Sequence, residues 1–295
     1  MSNPYLSNSS LFGKSKPGAV NPYGGVPQGA QSSGYATTAT RPSYDQQFAG
    51  VEQSYYGPDA GPAQTGRLTY DDVIMKTAGV VGVVVLAAAA AWMLVPPALA
   101  MPVMIVGLVG GLVLGLVNAF KKEPSPALIL TYAVLEGAFL GLISKVFEAQ
   151  FGGIVAQAVL ATFVTFGVTL ALFKSGKVRV TPKFTKILMI GLISYALFSL
   201  VNLGAMLFFS DFVPAWGFRG MEVPILGIPF GALIGPIAII LAAMSLIMDF
   251  DMITKGVRNG APRKFAWSAA FGITVTLIWL YIEFLRLIAI LRGGD

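Results

Sequence analysis

Five ionisable residues of this 295-residue chain lie where lipid or a bundle interior is expected and are its candidates for chemistry: Glu136, Asp249, Asp251, Glu283 and Arg286. A charged group in or near hydrocarbon is costly to keep, so it marks a function by default, commonly a proton or cation pathway. Asp249 and Asp251 close the run Leu246-Ile247-Met248-Asp249-Phe250-Asp251-Met252-Ile253. Two apart on a helix, they point roughly 200° away from each other, and only one can face a bundle axis. Asp251 has Lys255 four residues on, the favourable acid-before-base order, and reads as a structural pair near the membrane edge. Asp249 has Ser245, Leu246, Met252 and Ile253 at three and four residues on either side, none of them a cation. Its partner must come from another helix, from solvent or from a cation. Glu283 lies in Trp279-Leu280-Tyr281-Ile282-Glu283-Phe284-Leu285-Arg286, where Arg286, one turn later, can neutralise it. Such a pair is still costly in lipid, which turns both groups inward. Glu136 reads either as a protonated hydrogen-bonder between helices or as part of a polar cavity. Tyr132, Tyr195 and Tyr281 read as packing and interface residues.

Composition narrows the chemistry further. With no cysteine and no histidine, the chain has no disulfide framework, no thiol nucleophile and no imidazole ligand, and any proton chemistry falls to carboxylates. The phosphate-binding pattern G-x-x-x-x-G-K-[ST], the zinc-binding pattern H-E-x-x-H and a Ser/His/Asp triad are all missing, so nothing in the sequence supports an enzyme or a cofactor. The net charge of +6 resides mainly in short loops between apolar runs, the pattern of membrane orientation and not of nucleic-acid binding.

The elements that must hold these residues follow from hydropathy. A mean hydropathy of +0.73 with only 12% charged residues describes a protein whose solvent is largely the lipid bilayer. Seven apolar runs, about 73–95, 103–120, 127–147, 154–173, 186–209, 225–254 and 267–292, are each of the order of twenty residues and match a bilayer core. The expected class is therefore an all-α integral membrane protein of seven transmembrane helices occupying residues 68–295. Thr69 is placed to cap the first helix, with Asp71 and Asp72 in its first turn. Gly107, Gly111 and Gly115 in the second run, and Gly227, Gly231 and Gly235 in the sixth, recur at the four-residue spacing that lets helices approach closely in lipid. Residues 1–67, rich in Gly, Pro, Ser, Tyr and Gln, bury too little to order themselves and are expected to form a disordered tail, either merely solubilising or a docking segment for a soluble partner. The first thirty residues lack the basic start and apolar core of a signal peptide. Lys and Arg concentrate in alternate loops, which places the N-terminus in the cytoplasm and the C-terminus outside.

In this order the features resemble the Bax inhibitor-1 (transmembrane Bax inhibitor motif) family in its actinobacterial form. The resemblance rests on Asp249-Phe250 ending the sixth span before a basic loop, on Tyr281-Ile282-Glu283-Phe284-Leu285 in the last span, and on Glu136-Gly137 with Gly141 in the third. It implies six helices surrounding a central seventh and, in bacterial members, a pH-dependent calcium leak. The acid pair that latches those members corresponds to Asp249 and Glu283, with Glu136, Asp251 and Arg286 as supporting polar groups, calcium or protons as the ions, and no cofactor. Two acids sharing a desolvated site cannot both ionise cheaply, so a shared proton would close the latch, and its loss would open the helices and offer hard oxygen ligands to calcium. The pair can meet only if residues 262–270 lie near the interface and the membrane part of the last helix starts later. The competing expectation is an inert bundle that anchors a tail recruiting a membrane protease, envelope or stress-response partner.

Overall fold

The computed structural model describes residues 65–209, 211–214, 216–225 and 227–293. Most of the expected tail lies outside them. Seven helices in the described residues are long and apolar enough to cross a membrane. They are α1 (Tyr70–Leu94), α2 (Pro97–Phe120), α3 (Pro126–Gln150), α4 (Ile154–Lys174), α5 (Pro182–Phe208), α6 (Phe230–Arg258) and α7 (Ala266–Arg292). Thr69 caps α1 as its position predicts, its hydroxyl accepting from the Asp72 amide at 3.1 Å. Pro97, Pro126 and Pro182 each begin a helix, where the missing N–H costs nothing and the fixed φ favours the first turn. This is why α2 starts at Pro97 and not near Val103: the Pro96-Pro97 pair breaks one helix and opens the next.

The sixth run also differs from its hydropathy limits. Its apolar start at Ile225 belongs to a short hairpin, β1 (Glu222–Val223) and β2 (Ile228–Pro229), turned by Gly227 at φ 60°. At its other end α6 continues through Lys255 and Arg258, whose charges favour the helix C-terminus.

In lipid, helices associate by close packing because the tails are as apolar as the side chains. Gly137 and Gly141 serve this on α3. A Cβ on Gly137 would lie 2.5 Å from the Val84 carbonyl oxygen, and one on Gly141 would collide with that of Ala88, so α1 and α3 touch backbone to backbone. The glycines of α6 admit α7 in the same way, Gly235 against Leu287 and Gly231 against Ile290.

α7 is the central helix. Of the three hydrophobic clusters among the described residues, one joins its Ile273 and Leu280 to Leu246 and Phe250 of α6, a second joins Ala270 and Ile278 to α1 and α3, and a third joins Leu285 and Ala289 to α3 and α4. Half of its most apolar stretch is buried, the largest share of any span.

The chain entering α1 is fastened to the α6–α7 loop. The Leu68 amide donates to the Ala261 carbonyl at 2.7 Å, the Arg263 amide donates to Gly66 at 2.9 Å, and Arg67 bridges Pro262. Arg263 also pairs with Asp72 at 2.7 Å, and Lys264 with Glu123 of the α2–α3 loop at 2.6 Å. Gly66 and Arg67, assigned to the tail by composition, thus belong to this clasp.

Candidate functional site

α6 presents Asp249 to α7. Thr276 Oγ1 lies 3.0 Å from Asp249 Oδ2 and 3.1 Å from the carbonyl oxygen of Gly272, four residues before it. Gly272 lies beside the carboxylate, where a Cβ would stand at ordinary contact distance, 3.4 Å, from Asp249 Oδ1. Asp249 is partly buried and makes no ion pair among the described residues, whereas Asp251 pairs with Lys255 at 2.5 Å across one helical turn. The two neighbouring acids therefore face different surroundings, as their angular separation requires.

Glu283 lies at another level. Thr276 precedes it by seven residues, about 10 Å along the helix axis. Its side chain is 1% exposed, and Arg219, from the turn Gly217–Gly220 between α5 and α6, reaches it at 3.5 Å while only 4% exposed itself. Arg286 pairs with the other oxygen, Oε1, at 3.2 Å, and the Tyr195 hydroxyl of α5 donates to the same atom. Arg219 further donates to the Tyr195 oxygen at 2.7 Å, and its guanidinium lies over the rings of Tyr195 and Phe198 at 5.2 and 5.4 Å. A buried carboxylate held by two guanidinium groups and a phenol is satisfied at both oxygens, which is the condition for keeping a charge out of water.

The expected meeting of Asp249 and Glu283 is not what the helices provide. α7 is preceded only by the short turn Arg263–Phe265, so its second and third turns pack level with Asp249, and Glu283 is carried past it. Asp249 is joined to Thr276, and Glu283 to Arg219, Arg286 and Tyr195.

Glu136 faces a cavity of about 550 Å³ shared with Glu283 and Arg286. Its carboxylate occupies the space above Gly111 of α2 that a Cβ would fill. Of the tyrosines, Tyr132 packs edge-on against Phe271 and Tyr281 hydrogen-bonds Ser144 at 2.6 Å, while Tyr195 belongs to the charged cluster. Thr276, Arg219 and Tyr195 escape sequence reasoning because each acts across helices. One signal stood in plain view: Arg219 is the lone basic residue between the fifth and sixth apolar runs, and a solitary arginine there can serve a buried acid.

The fold and site define a multi-pass helical membrane protein with an acid hydrogen-bonded to a threonine between its sixth and seventh helices and a buried arginine–glutamate cluster farther along the seventh. A family model described as Bax inhibitor 1 like matches residues 3–293, and the chain belongs to that family. A search of curated proteins finds no match.

Proposed function

We propose that this protein is a pH-sensitive calcium leak whose proton-controlled contact is the Asp249–Thr276 pair. The observation that carries this reading is the position of Thr276 Oγ1 between Asp249 Oδ2 and the Gly272 carbonyl. A hydroxyl has one proton and cannot donate to both. With a proton on Asp249, the acid donates to Thr276, Thr276 donates to Gly272, and every group has its partner. After loss of that proton the Thr276 hydroxyl donates to Asp249 while Gly272 keeps the helix's own Thr276 N–H, and Asp249 holds a negative charge with no cation in reach among the described residues, a costly state beside hydrocarbon. The contact then favours separation of α6 from α7 and entry of water and a hard cation, for which the Asp249 carboxylate supplies oxygen ligands. Calcium is the cation implied by the family resemblance, and rising pH is the opening direction. Glu283, neutralised by its arginines, acts as the fixed anchor of α7 and not as the second acid of the switch.

The basic loops following α2, α4 and α6 support an orientation with the clasp and these loops in the cytoplasm and the C-terminus outside. No enzymatic step enters this reading. Calcium flux into liposomes containing the purified protein, measured against pH for wild type and Asp249→Asn, tests it.

A second reading, an anchor for a membrane protease or stress-response partner, draws on the clasp. The hydrogen bonds of Gly66 and Leu68 to Arg263 and Ala261 connect the tail directly to the loop that joins α6 to α7. A partner held by the tail would then act on that loop without any ion passing.

A further inference from the structure

We infer that the cavity beside Glu283 is a binding site for a small zwitterion, a molecule carrying one ammonium and one carboxylate or phosphate oxyanion. The inference is independent of the Asp249–Thr276 switch. The cavity, about 550 Å³, is bounded by α3, α5, α7 and the α5–α6 loop, and four charged side chains face it: Glu136, Arg219, Glu283 and Arg286.

Internal pairing uses up only part of this set. Both Glu283 oxygens are engaged, and Arg219 gives Nη1 to Glu283 and Nη2 to Tyr195 and Ser199. Arg286 uses only Nη1, toward Glu283 and Tyr195, which leaves the Nη2 and Nε edge of its fork for an acceptor. Glu136 makes no hydrogen bond or ion pair among the described residues, although it is partly buried. What remains is one free carboxylate and one free guanidinium edge. A free carboxylate and a free guanidinium edge lining one cavity fit a ligand that carries a partner for each.

The balance of signs decides the ligand class. A simple cation would meet Glu136 but oppose the Arg286 edge, and a simple anion would do the reverse. A zwitterion satisfies both, its ammonium toward Glu136 and its oxyanion toward Arg286, where a planar fork favours carboxylate or phosphate. Phe139, Leu203 and Ile282 supply apolar wall for an aliphatic body. The same chemistry could arrive as a free amino acid or as an ethanolamine phospholipid headgroup.

The experiment uses the purified full-length chain in detergent, titrated with L-leucine, with N-acetyl-leucine, which lacks the ammonium, and with leucine methyl ester, which lacks the carboxylate. A parallel arm measures retention of phosphatidylethanolamine against phosphatidylglycerol by native mass spectrometry. Leucine binding weakened about tenfold or more by either blocking group, and likewise by Glu136→Gln and Arg286→Lys, is expected for a free zwitterion. A preference for phosphatidylethanolamine that Glu136→Gln abolishes, without leucine binding, assigns the same site to the headgroup. Equal binding of leucine and its blocked forms overturns the proposal. So does the absence of both leucine binding and ethanolamine-lipid preference in the wild-type protein. Because the truncations are made on the ligand, a variant that fails to fold does not decide the result.

Discussion

Thr276 Oγ1 stands 3.0 Å from Asp249 Oδ2, seven residues before the glutamate that the family resemblance pairs with that aspartate. The contact joins the sixth helix to the central seventh by a single hydroxyl. Replacing Thr276 by Val keeps the shape and removes that hydroxyl, at a cost of about 1 kcal/mol for an interhelical hydrogen bond. Thr276→Val is expected to raise calcium flux at acid pH, where the wild-type contact is closed, as measured in proteoliposomes. Unchanged acid-pH flux would show that this contact does not hold the closed state.

Arg219 and Glu283 make a second connection, between the α5–α6 loop and α7. With exposures of 4% and 1%, neither group has solvent to fall back on if the other is removed. Arg219→Ala is expected to destabilise the bundle by about 3 kcal/mol, since it strips one of two cations from a buried carboxylate. In Arg219→Ala/Glu283→Gln, part of that loss should return. Thermal unfolding in nanodiscs reads both effects, and equal stability of wild type and Arg219→Ala would remove the cluster from its structural role.

At the loops, Glu123 responds to pH for a different reason. The hydrogen bond from Lys264, and then the lysine's charge, hold its carboxyl below the usual value of 4.5. A carboxylate depressed in the folded state contributes stability that is present above its unfolded value and lost as pH falls through the folded one. Wild-type stability is therefore expected to decline as pH is lowered below about 4.5, with a shallower decline in Glu123→Gln. An identical acid limb for the two proteins in a pH series of melting curves would dissociate this pair from acid sensitivity.

Much of the fold is legible in the sequence because hydrocarbon imposes a simple demand: about twenty apolar residues for each crossing, with backbone groups paired within the helix. The Thr69 cap, the Gly231–Gly235 spacing and the Asp251–Lys255 pair are likewise local, set by residues within a turn or two, whereas Gly227, read as part of the same glycine series, turns the hairpin instead. The hairpin at Glu222–Pro229 escapes because its apolar residues continue the hydropathy of α6. The site is less legible for a related reason. Whether Asp249 meets residue 276 or residue 283 depends on how far α7 slides along α6, which packing such as Gly235 against Leu287 fixes and no periodicity reveals. Arg219 reaches Glu283 from a loop 64 residues away in sequence.

Deletion of residues 1–64 separates the two functional readings. It leaves the clasp intact, from Gly66 with Arg263 to Asp72 with Arg263. Under the leak reading the truncated protein is expected to retain pH-dependent calcium flux. A tail-recruiting anchor would instead lose its cellular function on truncation while tolerating Asp249→Asn, which complementation of a deletion strain can score.

Under the proposed mechanism a proton on Asp249 closes the path, so calcium flux into proteoliposomes is measured between pH 5 and pH 8, the range over which a proton switch would act at working pH. Asparagine at this position offers a permanent N–H donor to Thr276 and cannot acquire a charge. Wild type is expected to conduct more as pH rises, and Asp249→Asn to stay at the low acid-pH level throughout. A pH profile in Asp249→Asn that matches wild type would contradict the account.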